Sequence, residues 1–229
     1  MPLNLNTFKT RVITAIVYVA VMLAGIMYNS FSLRALLLII QVGATIELLA
    51  LIQQFDDNFK KFPLPLLKYI ALVIVYIILP ATALFNLYEK SFFYFKGPHW
   101  VTPMLIISSI WINDTMAYLV GSLIGKTPLS TISPKKTWEG TIGGVLLAVL
   151  IVSYGAHAIW NFAIVPLLII SSTAAVFGTL GDLFESKLKR MANVKDSGNI
   201  MPGHGGFLDR FDSLLFAAPA VWLVLFLFY

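Results

Sequence analysis

Residues 163–212 read Ala163-Ile-Val-Pro-Leu-Leu-Ile-Ile-Ser-Ser-Thr-Ala-Ala-Val-Phe-Gly-Thr-Leu-Gly181, then Asp182-Leu-Phe-Glu-Ser-Lys-Leu-Lys-Arg-Met-Ala-Asn-Val-Lys-Asp-Ser-Gly-Asn-Ile-Met-Pro-Gly-His-Gly-Gly-Phe-Leu-Asp-Arg-Phe-Asp212. The first part carries no charge and has the length of about 20 residues that a helix needs to cross a hydrocarbon layer. The second is a polar island rich in glycine and charge. That pairing sets the fold class: apolar helices that span a bilayer, with chemistry gathered where they end.

The rest of the chain agrees. It has 229 residues, of which 59% are hydrophobic and only 12% charged, and a mean hydropathy of +0.85. That balance excludes an ordinary soluble domain. Seven spans are expected, near 12–28, 31–53, 67–87, 101–125, 140–160, 163–181 and 213–229, the fifth and sixth parted by a short turn at Asn161 and Phe162. The expected architecture is all-α, a polytopic integral membrane helical bundle of one domain over 1–229. Lys9 and Arg11 precede the first apolar run as they would in a signal peptide, but no small-residue cleavage site follows, so a retained first helix is expected. The chain has no cysteine, which removes disulfides and thiolate metal sites.

Lysine and arginine collect in cytoplasmic loops, so their placement orients the spans. With the N-terminus inside, Lys9, Arg11, Lys60, Lys61, Lys68, Lys126, Lys135, Lys136, Lys187, Lys189, Arg190, Lys195 and Arg210 fall on the inner side. Only Arg34, Lys90 and Lys96 fall outside. An N-in, C-out topology is expected, in a cell (plasma or inner) membrane with the polar face toward the cytoplasm. The net charge of +5 largely reflects that bias, and suits an anionic surface and anionic substrates. No nucleic-acid partner is expected.

Four polar blocks interrupt the apolar pattern. Asn113 and Asp114 lie inside the fourth span, Asp114 about 11 residues from its end, or roughly 16 Å at 1.5 Å per residue. A carboxylate there costs about 2.5–3.5 kcal/mol to insert, so it faces a partner or a wet cavity. It serves either as a helix-locking contact or as part of a site. The loop 126–140 sets Lys126, Lys135 and Lys136 among Thr127, Ser130, Thr131, Ser133 and Thr137, a mixture of ammonium and hydroxyl groups suited to a polyphosphate. It lacks the glycine run of a Walker A loop. Gly121, Gly125, Gly140 and Gly144, spaced by four, read as close helix packing, with a homodimer as a further expectation. The small-residue sixth span reads as an inner helix.

In the polar island, Asp182, Glu185, Ser186 and Lys189 share a helix side, and Glu185 with Lys189 suits a surface ion pair. Glycines flank His204. Asp209 and Asp212 stand three apart at the start of the last span, where two like charges repel unless a cation lies between them. With Asp182 they form an all-oxygen set suited to magnesium, which favours carboxylates, waters and substrate phosphates. Arg210 is placed to grip a phosphate.

These blocks resemble a known family. Ser186-Lys-Leu-Lys-Arg190, Lys195-Asp-Ser-Gly198 and Pro202-Gly-His-Gly-Gly-Phe-Leu-Asp-Arg-Phe-Asp212 resemble the C-terminal signature of the phosphatidate cytidylyltransferases, or CDP-diglyceride synthases. Asn113-Asp-Thr-Met-Ala-Tyr118 and Ser133-Pro-Lys-Lys-Thr-Trp-Glu-Gly140 resemble upstream motifs of that family, so the likeness covers about 101–229. The resemblance implies a transferase that joins CTP to phosphatidate, giving CDP-diacylglycerol and pyrophosphate with a divalent metal. With that reaction in view, Asp182, Asp209 and Asp212 are expected to hold Mg2+, with room for a second cation. Lys135, Lys136 and Arg210 would bind phosphates; Asn113, Asp114, Ser133, Lys195 and His204 would complete the pocket. Another lipid phosphate, such as an archaeal-type ether lipid, is the alternative acceptor. A CDP-alcohol phosphotransferase is disfavoured because its Asp-Gly pair followed by Ala-Arg is missing. A small anion transporter predicts ionisable groups toward both faces, whereas here they crowd one. An inactive scaffold would leave the carboxylates near hydrocarbon without a ligand.

Overall fold

The computed structural model describes residues 5–56, 64–200 and 205–228, with no side-chain description for 5–11 and 64–66. Among the described residues eight α-helices follow one another: α1 Leu5–Met27, α2 Ser30–Phe55, α3 Leu64–Val73, α4 Leu79–Phe95, α5 Val101–Ile124, α6 Trp138–Trp160, α7 Ile164–Met191 and α8 Leu208–Phe228. A single π turn, Ile74–Ile78, precedes α4. Pro80, two residues beyond it, has no N–H to donate to the Tyr76 carbonyl and its ring crowds that carbonyl, which disfavours a regular α turn there. No strand occurs among the described residues; an isolated bridge joins Pro128 to Thr137.

Among the described residues six helices are long and apolar enough to cross a membrane: Ser30–Phe55, Leu67–Phe95, Val101–Ile124, Trp138–Trp160, Ile164–Met191 and Leu208–Phe228. Val12–Met27 is a shorter apolar helix, so the expectation of about seven is met as six and one shorter. Four boundaries differ clearly from the hydropathy reading. The first helix begins at Leu5 rather than 12, the third span runs on to Phe95, the sixth to Met191, and the last begins at Leu208 rather than 213. Hydropathy loses a helix where it turns amphipathic. In α7, Glu185 and Leu188 stay buried while Lys187 and Arg190 are exposed, so the 3.6-residue period continues past the last apolar run.

The chain packs as two compact units, one of Met1–Ile78 with Leu188–Phe211 and the other of Leu79–Lys187 with Asp212–Tyr229. In the second, α5 and α6 form the closest helix pair, and the glycines explain why. Gly140 faces the Ala117 carbonyl and the Gly121 Cα, and Gly144 faces the Ala117 backbone. With no Cβ between them the backbones touch, which is how membrane helices associate when lipid is as apolar as leucine. On α7, Leu167, Ile170, Ser171, Ala174 and Ala175 are buried, as an inner helix requires. Ser171 meets Ser153 of α6 across 2.7 Å, and Trp222 of α8 donates to Asn86 of α4 at 3.0 Å. Asn161 ends α6 in the left-handed region at φ 54°, which asparagine tolerates, and the expected short turn to α7 follows.

Candidate active site

In the second unit a cleft of about 440 Å³ opens between α5, the 125–137 loop and α7. It collects Asn113, Asp114, Ser133, Lys135, Lys136 and Asp182, six of the residues singled out from sequence. The loop is held to a fixed path. Leu129 donates to the Lys136 carbonyl at 2.8 Å and Trp138 to the Thr127 carbonyl at 2.9 Å, a short antiparallel pinch. Glu139 ties its base: its carboxylate accepts from the Lys126 and Thr127 backbone at 3.2 Å and from the Thr127 hydroxyl at 2.9 Å. Thr137 caps α6 by accepting from the Gly140 N–H at 3.1 Å, so its hydroxyl serves the helix as well as lining the cleft.

This pinch delivers Lys136 to Asp182, with which it forms an ion pair. The two side chains keep 29% and 27% of their exposure, so solvent and a ligand can still reach them. The other carboxylate oxygen of Asp182 accepts from Ser186 at 3.3 Å. Asn113, 2% exposed, donates to the Thr179 hydroxyl at 3.1 Å. Thr179 in turn donates to the Ala175 carbonyl at 3.0 Å, fixing α5 against α7. Asp114 is exposed, as is Lys135.

Asp182 also heads an acidic cluster. One carboxylate oxygen each from Asp182, Glu185 and Asp212 lies within 4.8 Å of the others. The distance across an octahedral magnesium ion is about 4.1 Å, twice its bond length to oxygen. Three oxygens on one such ion stand mostly cis to one another, about 2.9 Å apart, so side-chain movements of about an ångström would bring them to a common ion, and three carboxylates suit a hard divalent cation. Close approach of α7 and α8 makes the cluster: a Cβ on Gly181 would strike the Asp212 carbonyl. Glu185 corrects the surface reading, since it is 0% exposed. Its place three residues after Asp182 was the signal for it.

In the first unit Asp209 stands in different company. One of its oxygens accepts from Lys189 at 2.6 Å. The other accepts from the Ser197 N–H at 2.8 Å, the Ser197 hydroxyl at 2.9 Å and the Gly206 N–H at 2.9 Å. Gly205, at φ +80°, makes this turn possible, because a Cβ there would stand 2.6 Å from the Asp209 carboxylate. Lys195 and Arg210 are exposed. His204 lies outside the described residues.

Sequence reading passed over Glu47. This α2 residue is 4% exposed and accepts from the Phe207 N–H at 2.9 Å, the Leu208 N–H at 2.8 Å and the Ser197 hydroxyl at 2.7 Å. A helix start leaves N–H groups without intrahelical partners, and a carboxylate there also complements the positive end of the helix dipole. Glu47 therefore caps α8 from another helix. Its signal was a lone carboxylate in the middle of the 31–53 apolar run, where insertion costs about 2.5–3.5 kcal/mol.

Residues 93–228 match the model of the cytidylyltransferase family. The chain belongs to that family. The matched region carries the cleft, the acidic cluster and the turn around Asp209, whereas Glu47 stands outside it. Among similar cytidylyltransferases, the phosphatidate cytidylyltransferase of Bacillus subtilis (strain 168) is 50% identical over 121 residues, 52% of this chain and 45% of that protein. The phosphatidate cytidylyltransferase of Staphylococcus saprophyticus is 43% identical over 132 residues, 57% of this chain and 50% of its own. That of Staphylococcus aureus (strain COL) is 42% identical over the same length and shares. The chain spans about half the length of the curated relatives it matches.

Proposed function

We propose that the protein is a metal-dependent phosphatidate cytidylyltransferase, transferring CMP from CTP to phosphatidate and releasing pyrophosphate. The observation that carries this reading is Asp182, which lines the cleft beside Lys135 and Lys136 and also belongs to the acidic cluster. Family membership and the names of the relatives support it. A phosphatidate oxygen attacks the α-phosphorus of CTP; the bond from that phosphorus to the bridging oxygen breaks, and pyrophosphate leaves with the electron pair. Both partners are anions, so the protein's task is to hold them in line and offset their charge.

Lys135 and Lys136 bind phosphate oxygens on the loop side of the cleft, with Ser133 as a hydroxyl donor. Lys136 exchanges part of its contact with Asp182 for the substrate. Asn113 keeps the α5 wall rigid, and Asp114 faces the cleft to orient an ammonium group. Asp182, Glu185 and Asp212 hold the divalent cation, magnesium by its preference for oxygen. Bound there, it supplies Lewis-acid neutralisation of phosphate charge. We assign Asp209, engaged by Lys189, Ser197 and Gly206, the ordering of the signature turn that presents Lys195 and Arg210. His204 belongs to the same motif by resemblance. The positive-inside count supports the N-in, C-out orientation and a cytoplasmic site.

The test is transfer of radiolabel from α-labelled CTP into the lipid phase by purified protein in liposomes with phosphatidate and magnesium. Wild type transfers label and Asp182→Asn fails, with metal binding lost in parallel by calorimetry. Absence of transfer by folded wild type to phosphatidate or an ether-lipid phosphate would overturn the reading.

A further inference from the structure

The segment 197–208 is gripped at both ends by carboxylates. Glu47 takes the Ser197 hydroxyl on one side and the Phe207 and Leu208 N–H groups on the other. Asp209 takes Ser197 and Gly206 in the same manner, so Ser197 is shared between them. Asp209 lies in the chain that it holds. Glu47 comes from α2, about 150 residues earlier, outside the region that matches the family model. The glycines are fitted to it: a Cβ on Gly206 would meet both Glu47 oxygens, and one on Gly198 would meet the same carboxylate. Gly43, one turn earlier on α2, leaves room for the Phe207 ring.

A buried carboxylate is a poor choice for simple packing, since an apolar side chain would fill that place in α2 with no desolvation penalty. Three donors converging on it from one short segment show what it is retained for: it fixes where α8 begins. We infer that Glu47 is a positioning residue of the transferase, supplied by the N-terminal helices, which acts by setting the start of α8 and with it the orientation of Asp209 and Arg210. This rests on the proposed function for its catalytic consequence, but the clamp itself is testable without turnover. With the clamp loosened, the substrate still enters the cleft, while in-line alignment degrades. A displacement of about 1 Å can lower a rate by two orders of magnitude.

The experiment compares wild type, Glu47→Gln, Glu47→Asp and Ser197→Ala in liposomes by two readouts. In hydrogen exchange, peptides covering Phe207 and Leu208 lose protection by roughly tenfold or more in Glu47→Gln, while α5 and α6 peptides stay as in wild type. In the CTP-to-lipid assay, Glu47→Gln lowers kcat by about 10- to 100-fold, with KM for CTP within about threefold. Glu47→Asp recovers part of both. Ser197→Ala, which leaves Glu47 in place, moves both readouts in the same direction and keeps the test open if Glu47→Gln does not fold. Unchanged protection at 207–208, loss of protection spread equally over α2 and α5, or lost protection with an unchanged kcat each overturns the inference. If wild type transfers no label, the proposed function falls, and the exchange data alone decide whether the clamp exists.

Discussion

Replacing Gly144 by alanine adds one carbon to α6, and the structure says where it goes. The new Cβ would lie 2.7 Å from the Ala117 Cβ, 2.8 Å from its nitrogen and 2.9 Å from its Cα. Two of these neighbours are backbone, so no rotamer change relieves them. Bringing a 2.8 Å approach to the 3.4 Å of ordinary contact needs about 0.6 Å of separation between α5 and α6. Overpacking on this scale costs about 1–3 kcal/mol. At Gly155, further along the same helix, an added Cβ would meet nothing within 4 Å. There alanine removes only glycine's conformational entropy, a gain of about 0.5–1 kcal/mol. The pair is measured by thermal or denaturant unfolding in detergent, followed by the fluorescence of the five tryptophans. Gly144→Ala unfolds earlier than wild type and Gly155→Ala at or above it. Because Lys136 and Thr137 lead directly into α6, Gly144→Ala also weakens CTP binding at the cleft, and Gly155→Ala does not. Equal stability of the two variants would refute the packing argument.

Gly205→Ala forces a side chain into the left-handed region beside the Asp209 carboxylate, with an expected loss of about 1–2 kcal/mol and faster proteolysis between 195 and 208, read by mass spectrometry. Glu139→Gln leaves the Lys126 and Thr127 N–H groups facing a weaker acceptor; KM for CTP rises severalfold while the unfolding midpoint moves little, and an unchanged KM would refute its role in holding the loop. The chain lacks cysteine, so single cysteines at Ser130 and Gly97 report orientation cleanly. In intact cells an impermeant maleimide labels position 97 and spares position 130; the reverse pattern refutes the N-in topology.

The apolar runs of about 20 residues determined the membrane helices by themselves, because hydrocarbon accepts only backbone that satisfies its own hydrogen bonds. The four-residue glycine spacing likewise announced close helix packing, since close approach in lipid has few other causes; that the two glycine-bearing helices α5 and α6 meet each other came from the tertiary structure. Asn113, Asp114, Ser133, Lys135, Lys136 and Asp182 were legible as polar groups that an apolar chain would not otherwise keep. Tertiary structure decided the partnerships. Asp182 joins Lys136, 46 residues away, and Asp212 joins Glu185, which local spacing had offered to Lys189. Glu47 shows the limit most clearly. Its oddity was visible in one apolar run, but the donors it serves lie about 160 residues further on. Sequence records which groups need a partner; which partner each receives depends on helix ends meeting in space, where hydrogen bonds are decided over tenths of an ångström.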